Sequence, residues 1–393
     1  MTVAKRLEGI NEYYFSQKLR EIEAMNKAGK DVINLGIGSP DLPPHPEVIE
    51  ILHAESQKPG NHAYQSYKGS AVLRNAIASW YQRQYQVNID PESEVLPLIG
   101  SKEGIMHICM TYLDAGDAAL VPNPGYPTYK SAVELTGGTV ISYDLKKDNN
   151  WMADLEVLQL ALSTYESIPG NGKVKLMFVN YPHMPTGQLP LSDTFDELVA
   201  FAQKNELLIV HDNPYSFILN KRPQSILVST NAKKYVIELN SLSKSHNMAG
   251  WRVGMLIGDK KRIAEVLTFK SNMDSGMFLP VQLAAAKALE LGDEWHEELN
   301  AIYRDRQTLV FELLELLSCH FSREQAGMFV WAGVPATHSS GYELSDEVLQ
   351  QANVFITPGG IFGSNGNNYI RVSLCSSVEK ITNAINRIKQ IRK

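Results

Sequence analysis

No disulfide framework can be drawn through this sequence. Its three cysteines, Cys109, Cys319 and Cys375, are scattered and form no CxxC pair, so a reducing, cytoplasmic compartment is expected. No apolar run approaches the length of a membrane span, and the opening residues MTVAKRLEGINEYYFSQ lack the apolar stretch of a signal peptide. A basic excess is also absent. The 37 Lys and Arg against 43 Asp and Glu give a formal net charge of -6, which argues against nucleic acid or an anionic membrane as a general partner. There is no internal repeat, no low-complexity tract, and neither a GxGxxG turn nor a GxxxxGK[ST] loop, so a nucleotide-binding reading is discounted. What remains is an ordinary globular composition, 44% hydrophobic and 20% charged, in a chain long enough for one or two domains sharing a large core.

Residues 16–30 read as a helix closed by Gly29, and a Gly/Pro-rich loop follows from Ile33 to Pro46. Residues 69–86 read as a second helix with apolar positions at helical spacing. Short apolar runs then alternate with amphipathic stretches. The strand candidates are Val95–Ile99, Ala118–Val121, Thr139–Tyr143, Lys175–Asn180, Leu207–His211, Tyr235–Leu239 and Trp251–Ile257. This alternation predicts an α/β fold with a mostly parallel sheet flanked by helices, whose site lies beyond the carboxyl ends of the strands. After Gln282 the pattern changes. A helix-rich stretch to about Leu317, strands at Met328–Trp331 and Tyr369–Leu374, an apolar run at Val354–Thr357 and a closing helix at Val378–Ile391 predict a smaller α+β domain. The expected division is 45–285 for the large domain, with 1–44 and 286–393 forming the N-terminal segment and small domain.

Chemistry concentrates in four clusters. Lys244 lies in Asn240-Ser241-Leu242-Ser243-Lys244-Ser245, just after a strand, and Arg252 follows eight residues on in Gly250-Trp251-Arg252-Val253-Gly254. A lysine at the end of a buried strand has a depressed pKa and can form a Schiff base with a carbonyl. A nearby arginine can hold a phosphate bidentately. Pyridoxal phosphate carries both an aldehyde and a phosphate. Gly100-Ser101-Lys102-Glu103-Gly104 opens a helix directly after a strand; such a turn binds phosphate readily, although most are simply caps. In His211-Asp212-Asn213-Pro214-Tyr215, an acid at a strand end can keep a pyridinium nitrogen protonated, or it can merely cap a turn. Arg371, inside the apolar strand Tyr369–Leu374, needs a partner. A substrate α-carboxylate or an internal acid would serve equally.

In this order and spacing, the clusters resemble the class I/II aminotransferases, pyridoxal-phosphate enzymes of fold type I in the aspartate aminotransferase superfamily. The resemblance runs from Leu35-Gly36-Ile37-Gly38-Ser39-Pro40-Asp41 to Arg371, and the Ser-x-Ser-Lys…Gly-Trp-Arg-x-Gly segment is its most specific part. It implies that Lys244 is the Schiff-base lysine and proton shuttle. It implies that Asp212 pairs with the pyridine nitrogen and that Tyr215 donates to the ring's phenolic oxygen. Ser101 and Lys102 then belong to the phosphate turn, Ser241 and Arg252 to the phosphate's side-chain ligands, and Tyr126 to the face of the ring. Arg371 would clamp the α-carboxylate, with Gly38 lining it. Tyr64 would reach the phosphate of a neighbouring subunit, which implies a homodimer with shared sites. The implied activity is ping-pong transfer of an amino group between an L-amino acid and a 2-oxo acid.

There is one departure. Asn180-Tyr181-Pro182-His183-Met184-Pro185-Thr186-Gly187 carries Met184 where the family's Asn-Pro-Thr-Gly motif has a donor to the phenolic oxygen, and a thioether cannot donate. Either Tyr215 acts alone or Asn180 or His183 reaches in. Without that donor the imine should hold its proton to higher pH than in relatives with Asn. A second Arg for a distal carboxylate is not evident; Arg20, Arg262 and Arg323 have no diagnostic context. Met273, Met277 and Phe278 suggest tolerance of apolar side chains near a partner's site, and Tyr13, Tyr14 and Phe15 suggest an N-terminal segment that closes over substrate. Rival readings are a carbon–sulfur β-lyase or a cyclopropane-forming synthase on the same scaffold. A non-catalytic pyridoxal-phosphate-binding regulator is more distant, because the chain has no room for the helix-turn-helix domain such proteins carry.

Overall fold

The computed structural model describes residues 2–391 except 9, 11 and 13; Tyr13 therefore lies outside the described residues. In chain order the strands are β1 (Ile33–Asn34), β2 (Val95–Leu98), β3 (Ala118–Asn123), β4 (Thr139–Asp144), β5 (Val174–Val179), β6 (Leu208–Asp212), β7 (Val236–Ser241), β8 (Gly254–Ile257), β9 (Phe329–Gly333), β10 (Val354–Phe355), β11 (Thr357–Pro358) and β12 (Tyr369–Ser373). A seven-stranded sheet has the order β2-β8-β7-β6-β5-β3-β4. Its pairings are parallel except those of β8, which runs against β2 and β7.

The near-continuous apolar runs of these strands follow from burial on both faces. Successive residues point to opposite sides, so Leu96, Leu98, Leu176, Phe178, Leu208, Val210, Ile237 and Leu239 pack into one core. Val95, Met177, Val179, Ile209, Val236 and Met255 pack into the other. Helix 71–85 starts on a Ser70 cap that accepts from the Leu73 N–H and stops at Gln86 in the left-handed conformation. Helix 279–290 packs against helices 46–56 and 71–85.

The predicted strand Trp251–Ile257 is corrected. Residues 249–251 form a 3-10 turn and Arg252 has φ 58°, so the strand begins only at Gly254. The Arg252 side chain donates from Nη1 to the Ala249 carbonyl at 2.8 Å. The turn thus bends the guanidinium back toward the start of helix 101–112 instead of extending the sheet.

Toward the C-terminus, β11, β12 and β9 form an antiparallel sheet, and β1 pairs in parallel with β10. Helices 293–316 and 378–391 pack together. Helix 14–27 begins at Tyr14, which brings Phe15 inward as a buried residue. Among the described residues, no helix is long and apolar enough to cross a membrane.

Candidate active site

A cavity of about 300 Å³ opens at the carboxyl ends of β6 and β7 and at the turn after β2, where sites in such sheets are expected. Its wall brings together Gly38, Ser101, Lys102, Tyr126, Asp212, Tyr215, Ser241, Lys244, Arg252 and Arg371. These are the predicted residues apart from Tyr64. That tyrosine is 92% exposed and does not line this cavity.

The backbone sets the positively charged end. Gly100 has φ 83° and carries no side-chain cap for helix 101–112, so the helix's first N–H groups remain available. A Cβ on Gly100 would collide with Nη2 of Arg252; only glycine lets the guanidinium lie against this turn. Lys102 is beside Arg252, and burial, then the Arg252 charge, lowers its ammonium pKa. Ser241 Oγ receives the Ser243 N–H at 3.1 Å and donates to Ser243 Oγ at 2.8 Å.

Asp212 ends β6. Its backbone carbonyl accepts from Asn180 Nδ2 at 2.6 Å, and its Oδ2 accepts from the Tyr129 hydroxyl at 2.8 Å. Oδ1 is buried and has no hydrogen-bond partner among the described residues. Burial raises the carboxyl to about 6, against the opposing bond from Tyr129. A half-satisfied buried carboxylate in a cavity wall calls for a cationic N–H. Lys244 Nζ donates to the Gly38 carbonyl at 2.5 Å, and burial lowers its pKa, which enlarges the fraction present as free amine.

At the opposite end, Arg371 is buried in β12. Nη2 donates to the Gly36 carbonyl at 2.9 Å and Nη1 lies 3.3 Å from Met184 Sδ. Its guanidinium carbon is 3.7 Å from the Phe329 ring centroid, 4.7 Å from Phe362 and 5.6 Å from Phe15. Gly38 is forced small by this packing, because a Cβ there would meet the Phe329 ring.

Met184 does line the cavity, and so does Asn180. Asn180 is already engaged through Nδ2 with Asp212 and through Oδ1 with the Met184 N–H at 2.7 Å. His183 is turned to the Thr186 hydroxyl at 2.8 Å and is absent from the cavity wall. The arginines without diagnostic context pair elsewhere, Arg20 with Glu12, Arg262 with Glu265 and Arg323 with Glu315. Met277 is buried in the core, and Met273 and Phe278 are exposed; none of the three lines the cavity. Sequence reasoning missed Tyr129, Phe329 and Phe362. Only Tyr129 had a local signal, lying one helical turn after Tyr126 on the same face.

An anion-binding end, an amine, and a carboxylate with one unmet oxygen fit a group with a phosphate, an aldehyde and a basic ring nitrogen. Fold and site together define a transferase of the pyridoxal-phosphate fold type I class. The profile of the aminotransferase class I and II family matches residues 30–388, and the chain belongs to that family; it is an aminotransferase. It is 39% identical to an LL-diaminopimelate aminotransferase of Dehalococcoides mccartyi over the full length of both chains. Substrate-bound BacF from Bacillus subtilis superposes with a TM-score of 0.93 at 34% identity, covering 100% of this chain and 98% of that one. An aminotransferase from Staphylococcus aureus gives 0.88 at 30% identity, with 99% of each chain covered. Family and fold imply pyridoxal phosphate as the cofactor, and an amino acid and an oxo acid as substrates.

Proposed function

We propose that this chain transfers an amino group from an L-amino acid to a 2-oxo acid by a ping-pong mechanism with pyridoxal 5'-phosphate. Lys244, Asp212 and Tyr215 are its catalytic residues. The observation that carries the reading is the unmet Oδ1 of Asp212 in the same cavity as the Lys244 amine. Bound pyridoxal phosphate supplies a protonated ring that accepts the electron pair released at the substrate Cα.

The chain's own residues do the rest. The helix 101–112 N-terminus at Ser101 and Lys102, with Ser241 and Arg252, holds the phosphate. Asp212 holds the proton on the ring nitrogen, Tyr215 donates to the phenolic oxygen, and Tyr126 covers the ring. Arg371 binds the α-carboxylate beside the Gly38 backbone, which fixes the direction of the Cα–H bond. Lys244, as a free amine, takes that proton and would return it to the carbon the cofactor brings as its aldehyde, across the nitrogen from Cα. The exposure of Tyr64 supports its reaching the phosphate of a second subunit, so a homodimer with shared sites is part of the proposal, as is a cytoplasmic setting. The packing of helix 279–290 on the large sheet's helices supports ending the large domain after that helix, slightly beyond residue 285.

The test uses the protein loaded with pyridoxal phosphate. Adding an amino acid alone should bleach the cofactor's visible absorbance and release one equivalent of 2-oxo acid per site, and a different 2-oxo acid should restore the absorbance. Continuous release of pyruvate and ammonia from a sulfur amino acid, without an acceptor, would instead establish a lyase. Met184 gives a further prediction. Met184→Asn adds a donor to the phenolic oxygen, so the pH at which the cofactor's visible absorbance titrates should fall; an unchanged or higher titration pH refutes the idea.

The names of the relatives favour LL-diaminopimelate as the amino acid.

A further inference from the structure

We infer that Arg306 is a positioning residue for the substrate's α-carboxylate. Its guanidinium ties the Gly36–Asp41 loop to the end of β12, so that the Gly38 backbone and Arg371 keep one spacing. This role rests on the transamination reading, in which those two groups receive the carboxylate. Neither Arg306 nor Asp41 lines the cavity; their ion pair acts through the elements it joins.

Arg306 lies in helix 293–316 and is buried. Nη1 donates to Asp41 Oδ1 at 2.7 Å and Nη2 to Asp41 Oδ2 at 2.9 Å. This two-pronged pairing, which lysine cannot make, fixes orientation as well as distance. Nη1 also donates to the Leu374 carbonyl at 3.0 Å. Leu374 directly follows β12, three residues after Arg371. One side chain therefore grips both the far end of the loop and the strand that carries Arg371. Its helix packs on helix 378–391 and on β9, the neighbour of β12, so the grip has a firm support. Any acid would satisfy a buried guanidinium. An acid on the carboxylate loop, joined by a third bond at the end of β12, gives the pair its further role.

The loop needs such a tether. Its start is held to the C-terminal sheet, where the Gly36 carbonyl accepts from Arg371 Nη2 and Thr357 Oγ1, both at 2.9 Å. A Cβ on Gly36 would meet the Phe355 ring. From Gly38 to Asp41 the chain forms no backbone–backbone hydrogen bond among the described residues, and Gly38 has no side chain to restrict its own backbone. Lys244 Nζ donates to the Gly38 carbonyl, but that nitrogen must serve the cofactor and Cα in turn, so it cannot hold the loop throughout the reaction. The Arg306–Asp41 fork has no such second duty and persists through the cycle.

The test uses the pyridoxal-phosphate-loaded enzyme and two variants. Arg306→Lys keeps the charge and loses the fork. Asp41→Asn is the milder change, because the Asp41 side chain is 30% exposed. The twenty common L-amino acids and LL-diaminopimelate are screened on wild type, and the fastest is carried forward. In both variants its half-saturating concentration in the first half-reaction should rise about tenfold or more, while the maximal rate changes by less than about threefold, because the carboxylate is held alike before and during proton transfer. Hydrogen–deuterium exchange of the cofactor-free proteins should be faster than wild type in peptides covering 35–42 and equal to wild type in those covering 236–245. A lower maximal rate at unchanged half-saturation, or unchanged exchange over 35–42, would make the pair purely structural and overturn the inference while leaving transamination standing. Conversion of no amino acid by wild-type protein that binds the cofactor overturns the transamination reading itself, and the inference with it.

Discussion

Lys244→Ala should lose turnover by roughly four orders of magnitude or more, because one substitution removes both the covalent anchor and the base. The loss should be chemical. Among the described residues Nζ donates one hydrogen bond, to the Gly38 carbonyl, and burial already works against the amine's charge. A group whose protonated form is penalised by folding destabilises the fold at every pH below its ordinary, unfolded pKa, and that penalty is relieved as pH rises from the folded-state value to the unfolded one. Removing it should leave the cofactor-free melting temperature at neutral pH equal to wild type or higher. Two measurements then separate mechanism from misfolding. Borohydride reduction and peptide mapping should find the cofactor on the peptide containing residue 244 in wild type and on none in the variant. The variant should also release its cofactor on gel filtration. Turnover within tenfold of wild type, or a label on another lysine, would end the lysine's proposed role.

Residues whose roles depend on local sequence were legible in advance; residues whose roles depend on packing were not. Lys244, Ser241 and Arg252 lie within a dozen residues of one another, so their spacing could be read directly. The strands were legible because a sheet covered on both faces demands unbroken apolar runs. The same cover hid Glu238. An acid flanked by Ile237 and Leu239 reads as a solvent-facing position, yet it is fully buried. Its carboxylate is met by Tyr81, Ser225 and the Ile226 N–H, with His211 Nδ1 at 2.9 Å. These partners are brought together only by the fold. Trp251–Val253 looked like strand because tryptophan and valine favour strands; the left-handed Arg252 overrides that preference. The aromatic wall around Arg371 was the least legible feature. Phe15 was expected over the substrate, but Phe329 and Phe362 are ordinary core residues in their own segments, and only the convergence of the N-terminal helix with the C-terminal sheet sets all three around Arg371.

Asp212→Asn should reduce turnover by about 10²–10³-fold while leaving cofactor binding in place. The reason is a reversal of polarity at one atom. Asn can still accept the Tyr129 hydroxyl, which donates to Oδ2 in wild type, so its amide nitrogen takes the place of Oδ1 and presents hydrogens to the ring. A donor there favours an unprotonated ring nitrogen, and an unprotonated ring is a poor electron sink. Stability gives an independent reading. The Asp212 carboxyl is raised to about 6 in the protein without cofactor. The stability linked to its protonated form is therefore fully present below the ordinary carboxylate range and is lost as pH rises through about 6. A protonated ring nitrogen supplies the missing partner above that point. The gain in melting temperature from saturating pyridoxal phosphate should therefore grow between pH 5 and pH 8 in wild type. The difference between wild type and Asp212→Asn isolates the carboxylate from the titration of the phosphate and of Lys244. Parallel gains in the two proteins, or a variant turning over within about threefold of wild type, would remove Asp212 from the ring nitrogen and with it the electronic basis of the proposed reaction.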